Sequence, residues 1–162
     1  MVAELALGFL LASASPGERS VPCSEVIQSV AFPHLGGRDY PAQQVLGTVS
    51  APGRHLPQSS PTGIPPWTHF SKWGMVVRGG PGAQVVVTVP RLWCDRVAIS
   101  WGNNQHRVFH TLRFPRCGGD ADRGSAYAGG FFLRRPSGCV PLRFRVGGRS
   151  RLVWFGIVRR CG

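Results

Sequence analysis

Acid is what this chain most lacks. Seven Asp and Glu stand against nineteen basic residues, for a formal charge of +12, and Lys72 is the lone lysine beside eighteen arginines. Chemistry built on paired carboxylates therefore has few candidates: Glu18, Glu25, Asp39, Asp95, Asp120 and Asp122 beyond the first residues. No run approaches the roughly 18 apolar residues of a membrane span. None of the five cysteines falls in a C-x-x-C or Cys/His finger spacing, which argues against a zinc site or a thioredoxin-like centre. A G-x-S-x-G elbow, H-E-x-x-H, Walker A loop, Rossmann glycine fingerprint and deaminase H-x-E are all missing. So are an aromatic RNP motif and a helix-turn-helix, and nucleic acid is not the expected partner. No cofactor or metal is implied by any motif.

What is present describes one small, loop-rich globular domain. Gly and Pro contribute 22 and 14 of the 162 residues, about twice the usual share. Leu, Ile, Val and Phe make up roughly 27% of the chain, enough apolar surface to fold. The arginine excess has two readings: the codon bias of a GC-rich genome, or a positive potential that draws acidic partners.

Leu5 to Ala12 is a short apolar run followed by Ala12-Ser13-Ala14, a small-x-small pattern that suits a signal-peptidase cut. Glu4 sits where a basic n-region belongs, as it would in a signal whose start is truncated; the alternative is a buried amino-terminal element. Residues 1–14 are thus expected to be a secretory signal and 15–162 one domain. The expected location is extracellular or cell-envelope. Widely spaced cysteines in an exported chain suit disulfides. Of fifteen two-bridge arrangements, the expected one joins Cys23 to Cys161 and Cys117 to Cys139, leaving Cys94 as a buried thiol or an intermolecular link.

Along the chain, Cys23 to Phe32 is too short to assign, and Val45 to Ser50 suggests a strand. Residues 51–66 carry five prolines and predict an irregular surface loop. Trp67, Phe70 and Trp73 recur at a spacing of three between Pro66 and Gly74, which predicts a short aromatic helix; a carbohydrate-stacking platform is the functional alternative for this triad. From Met75 the punctuation predicts seven strands: Met75–Arg78, Gln84–Val89, Arg96–Trp101, Val108–Phe114, Tyr127–Leu133, Val140–Val146 and Arg149–Val158. Hairpin connections are expected at Arg78–Gly82 and Gly147-Gly148. The fold class is all-β, a single-domain sandwich of immunoglobulin-like or jelly-roll-like type.

The segments Val97–Asn103, Gly124–Leu133, Cys139–Gly147 and Phe155–Cys161, with their Tyr-Ala-Gly-Gly-Phe and terminal Arg-Arg-Cys elements, resemble a group of small exported proteins from high-GC actinobacteria. The resemblance spans about Cys23 to Cys161. It implies an exported β-rich domain, attaches no activity, and places a non-cysteine at the position of Cys94.

Candidate chemistry is sparse. Asp120 and Asp122 could hold a hard cation or form a solvated turn; Arg123 beside them favours the turn. His106 and His110 are four apart, which would align them on a helix but separates them by about 13 Å on a strand. Asn103 and Asn104 suit a turn, with a ligand contact as the alternative, and Tyr127 and Phe131 suit the core. The alternation Leu142-Arg143-Phe144-Arg145-Val146 sends two guanidinium groups to one face, and Arg149 and Arg151 are expected to extend it across the turn. The leading reading is a monomeric, non-enzymatic domain that binds an acidic polymer or a protein partner through Arg143, Arg145, Arg149 and Arg151. The rival is a small secreted hydrolase with its pocket beside the Trp67 cluster.

Overall fold

A computed structural model describes residues 17–103 and 106–162; the expected signal at 1–14, and Asn104, lie outside the described residues. In chain order the strands are β1 (Glu18–Ser20), β2 (Gln28–Ala31), β3 (Ala42–Val45), β4 (Val49–Pro52) and β5 (His55–Leu56). Then follow β6 (Ser60–Ile64), β7 (Trp67–Lys72), β8 (Met75–Arg78), β9 (Val85–Thr88) and β10 (Val97–Trp101). The last five are β11 (Thr111–Phe114), β12 (Arg123–Tyr127), β13 (Gly129–Leu133), β14 (Gly138–Val146) and β15 (Arg149–Ile157). Short 3₁₀ turns at Cys23–Glu25 and Arg91–Trp93 are the only helical elements among the described residues.

The chain is all-β, as its sequence implies, but it forms three sheets and not two packed ones. A six-stranded sheet runs β1-β11-β9-β14-β15-β5, a five-stranded sheet β2-β12-β8-β4-β3, and a four-stranded sheet β10-β13-β7-β6. The smaller two share a frame: β8 pairs with β12 and β7 with β13 in one unbroken register, from Gly124 opposite Arg78 to Leu133 opposite His69. The Trp73 N–H bridges the junction to the Gly129 carbonyl at 2.7 Å. Close approach demands glycine there. A Cβ at Gly129 would meet the Ser100 carbonyl oxygen, and one at Gly130 that of Ser71.

One apolar core joins all three sheets, with Val87, Leu112, Phe144 and Phe155 from the first, Val77 and Tyr127 from the second, and Ile99 and Phe131 from the third. Burial pushes the Tyr127 phenol up to about 12. A smaller cluster of Trp67, Ala98 and Phe132, with Phe70 against it, covers the outer face of the four-stranded sheet.

Four local expectations are corrected. Trp67–Lys72 is a strand and not an aromatic helix: six residues are too few for a helix to stand unaided, whereas ladder bonds to β13 and packing of Phe70 on Phe132 at 4.7 Å secure the extended form. The Pro-rich stretch 51–66 holds β5, β6 and the end of β4, because proline is barred from central ladders but not from edge strands or strand ends. Val45–Ser50 is split by a turn in which Leu46 and Gly47 both adopt positive φ, 54° and 65°. Residues Arg78–Gly82 form a crossover between sheets and not a hairpin, since β8 pairs with β4 and β12 while β9 pairs with β11 and β14. Gly147, at φ 58°, does turn the β14–β15 hairpin.

The disulfides are also repaired. Cys23 bonds Cys117 and Cys139 bonds Cys161, so neither expected pair forms, and Cys94 is the free thiol among the described residues. The cause lies after β15, where the chain reverses at Val158. The returning segment passes over Gly156, so close that a Cβ there would meet the Arg159 carbonyl and the Cys161 nitrogen. Cys139 is the ladder partner of Gly156 and is therefore next to Cys161. Such bonds form and persist in an oxidising environment. Burial pushes the Cys94 thiol up, and Asp95 reinforces the shift. No helix among the described residues is long and apolar enough to cross a membrane.

Candidate anion-binding groove

The β14–β15 hairpin runs nine residues on each strand and forms one side of an arginine-lined concavity. One edge of β15 is covered by β14 throughout, whereas the other is covered by β5 only at Gly156 and Ile157. The uncovered stretch, Arg151 to Trp154, forms the wall of a groove of about 620 Å³. Gln43, Arg54, His55, Cys139, Arg160, Cys161 and Gly162 complete it.

Its charged side chains are of one sign. Arg54, Arg151 and Arg160 are exposed, His55 is half-buried, and no Asp or Glu lines the walls. The reversal that delivers Arg160 is fixed by Val158, whose N–H donates to the Leu56 carbonyl at 2.7 Å and whose carbonyl lies 3.3 Å from His55 Nε2. It holds φ at 64°, a left-handed value that β-branched residues rarely adopt.

A second groove, of about 790 Å³, lies on the other side of Cys139, which lines both. It carries Arg96, Arg134, Arg135 and Arg159, with Asp95 as its carboxylate. Trp93 from this groove meets Trp154 from the first edge-to-face at 5.4 Å, and the Arg96 guanidinium sits 5.1 Å above the Trp93 ring. Trp154 remains 42% exposed at the ridge between them.

The four arginines expected on one face are divided. Residues paired across a ladder share a face, so Arg143, opposite Leu152, and Arg145, opposite Ser150, point outward, while Arg149 and Arg151 oppose the inward Val146 and Phe144. Arg145 instead neighbours Val86, itself opposite Arg113. There Glu18 is ion-paired to Arg113; that hydrogen bond, and Arg145's field after it, hold the Glu18 carboxyl below the usual range. Arg149 donates to the Leu46 carbonyl at 2.9 Å and ties the β3–β4 turn to the start of β15. Of the four, Arg151 alone enters the groove. Arg54, Arg160 and the second groove's four arginines were not singled out from sequence, although the Arg134-Arg135 and Arg159-Arg160 doublets beside Cys139 and Cys161 are their signal.

The other candidates are dispersed. His110 is buried with its ring edge-to-face on Trp67, while His106 is exposed. Burial holds the His110 imidazole below its ordinary value, against a hydrogen bond to the Cys94 backbone. Asp120 Oδ1 accepts the Asp122 N–H at 2.8 Å, a self-contained turn. The Asn103 N–H donates to Glu25 Oε2 at 2.8 Å. No group of three or more His, Cys, Asp or Glu side chains is placed to hold a metal among the described residues. Trp67 and Phe70 are taken up in the outer apolar cluster, and Trp73 packs on the main core and against Tyr40 at 5.9 Å. Comparison with known proteins finds no family whose pattern matches the chain and no curated protein that resembles it significantly.

Proposed function

We propose that this is an exported, non-enzymatic binding domain of the cell envelope or exterior, which holds an acidic partner in the arginine-lined groove beside Trp154. The observation that carries the reading is the wall composition: Arg54, Arg151, Arg160 and His55 with no carboxylate side chain among them. Guanidinium groups clustered without acidic side chains among them raise a potential that concentrates anions, and each presents a planar fork to carboxylate or phosphate oxygens. Trp154 adds an apolar face at the rim. Export is supported by the Leu5–Ala14 pattern and by two disulfides. A hydrolytic role gains nothing from the geometry, because the groove with His55 has no carboxylate side chain and the groove with Asp95 has no histidine. The test is retention of the disulfide-bonded protein on immobilised poly-glutamate, teichoic acid, heparin and DNA over a salt gradient. Retention at physiological salt that falls as salt rises is the expected result; flow-through on all four columns overturns the reading.

A further inference from the structure

The groove has a feature that charge does not require: its wall is the open edge of a strand. Backbone N–H and C=O groups of one strand residue point to the same side and alternate along the chain. The Gly156 N–H points away from β14, donating to the Arg54 carbonyl at 2.7 Å. Trp154 and Leu152, two and four residues earlier, therefore aim their backbone donors and acceptors into the groove. Their ladder partners agree, since Trp154 lies opposite Pro141, which has no N–H to offer across the pair. β5 runs parallel to β15 and joins this edge only at Gly156 and Ile157, with the chain before it unpaired to β15, so the position a neighbouring strand would occupy beside Arg151 to Trp154 is the groove itself.

Resting on the polyanion reading above, we propose that the occupant is an extended acidic peptide segment that adds to β15 as a strand. Sheet edges left open in this way are templates for strand addition. Four residues at about 3.3 Å each give an edge of about 13 Å, room for four or five peptide residues. The pleat then sorts the partner's side chains. Those on the outer face lie over Leu152 and Trp154, which are 40% and 42% exposed, and suit apolar residues. Those of the other parity lie on the side of Arg151, with Arg54 and Arg160 at the groove's end, and suit Asp or Glu. The fitting partner is an alternating acidic and apolar segment. A second copy of this chain is disfavoured by its charge of +12.

The experiment uses the intact disulfide-bonded protein and a blocked Asp-Val-Asp-Val-Asp peptide, with tryptophan fluorescence for affinity and amide hydrogen exchange for contact. The expected result is about tenfold or greater slowing of exchange at the Leu152 and Trp154 amides, with the Val153 amide unchanged. Two N-methylated peptides provide the second readout. Methyl groups on one alternate set of amides weaken binding about tenfold, and methyl groups on the other set leave it within about twofold, because only one set faces β15. Equal effects of the two sets, or binding without protection at Leu152 and Trp154, overturn strand addition. If linear polyphosphate or heparin binds without slowing those amides while the peptide does not bind, the groove is a charge site and the polyanion reading survives alone. If none of the probes binds, both fail.

Discussion

Separating the two disulfides gives a prediction with opposite signs for stability and binding. Cys23–Cys117 spans 94 positions and Cys139–Cys161 spans 22. In the chain-entropy account, closing those loops restricts the unfolded chain by about 4.7 and about 3.4 kcal/mol, a difference of about 1.3 kcal/mol. Replacing both cysteines of a pair by alanine should therefore cost more for Cys23/Cys117 than for Cys139/Cys161. Packing acts in the same direction, since Cys117 is buried in contact with Tyr127. Binding should follow the reverse order. Cys139–Cys161 pins the returning segment that carries Arg160 along the groove, whereas the Cys117 bond does not line it. Urea unfolding of the two double variants gives the stability ranking from midpoints and slopes, and retention on poly-glutamate gives the binding ranking. The reasoning is refuted if the Cys139/Cys161 variant is the less stable of the two, or if it binds as tightly as wild type.

Gly129→Ala should destabilise the fold by more than about 2 kcal/mol in chemical denaturation, because its Cβ would collide with the Ser100 carbonyl and the Trp101 backbone. Val158→Gly should raise stability by about 1 kcal/mol, since it relieves a left-handed β-branched residue that is 46% exposed and gives up little packing. His110 resists protonation in the fold more than in the unfolded chain, so the unfolded state binds the extra proton and stability falls as pH drops through about 6.5. His110→Phe should flatten the melting temperature over that window; an unchanged pH slope would remove His110 as its source.

The period-two alternation made most of the sheet legible, and turn geometry hid the rest. Leu142, Phe144 and Val146 face the core with Arg143 and Arg145 outward, as alternation requires. Carrying that pattern across the hairpin fails because Gly147-Gly148 makes a two-residue turn that pairs Val146 with Arg149, so the inward parity continues onto Arg149 and Arg151. Trp67, Phe70 and Trp73 have a helical spacing, yet Phe132 and the β13 ladder decide their conformation, and neither is near them in sequence. The disulfide pairing was likewise out of reach, because it depends on the left-handed Val158 and the bare Gly156 backbone. The groove is assembled from β3, β5, β14, β15 and the segment after it, so arginines about a hundred residues apart meet there without any shared motif.

The most direct test of the central claim compares two variants of equal charge. One replaces Arg54, Arg151 and Arg160 by Gln; the other replaces the exposed Arg38, Arg143 and Arg145. Affinity for poly-glutamate is measured for both across a salt series, with melting temperature as a control for folding. The groove variant should lose most of its affinity and much of its salt dependence while melting near wild type, because exposed charges contribute little to stability. The other variant should keep its affinity to within a few-fold. Equal losses from the two would show that binding follows net charge alone, and would contradict the groove as the binding site.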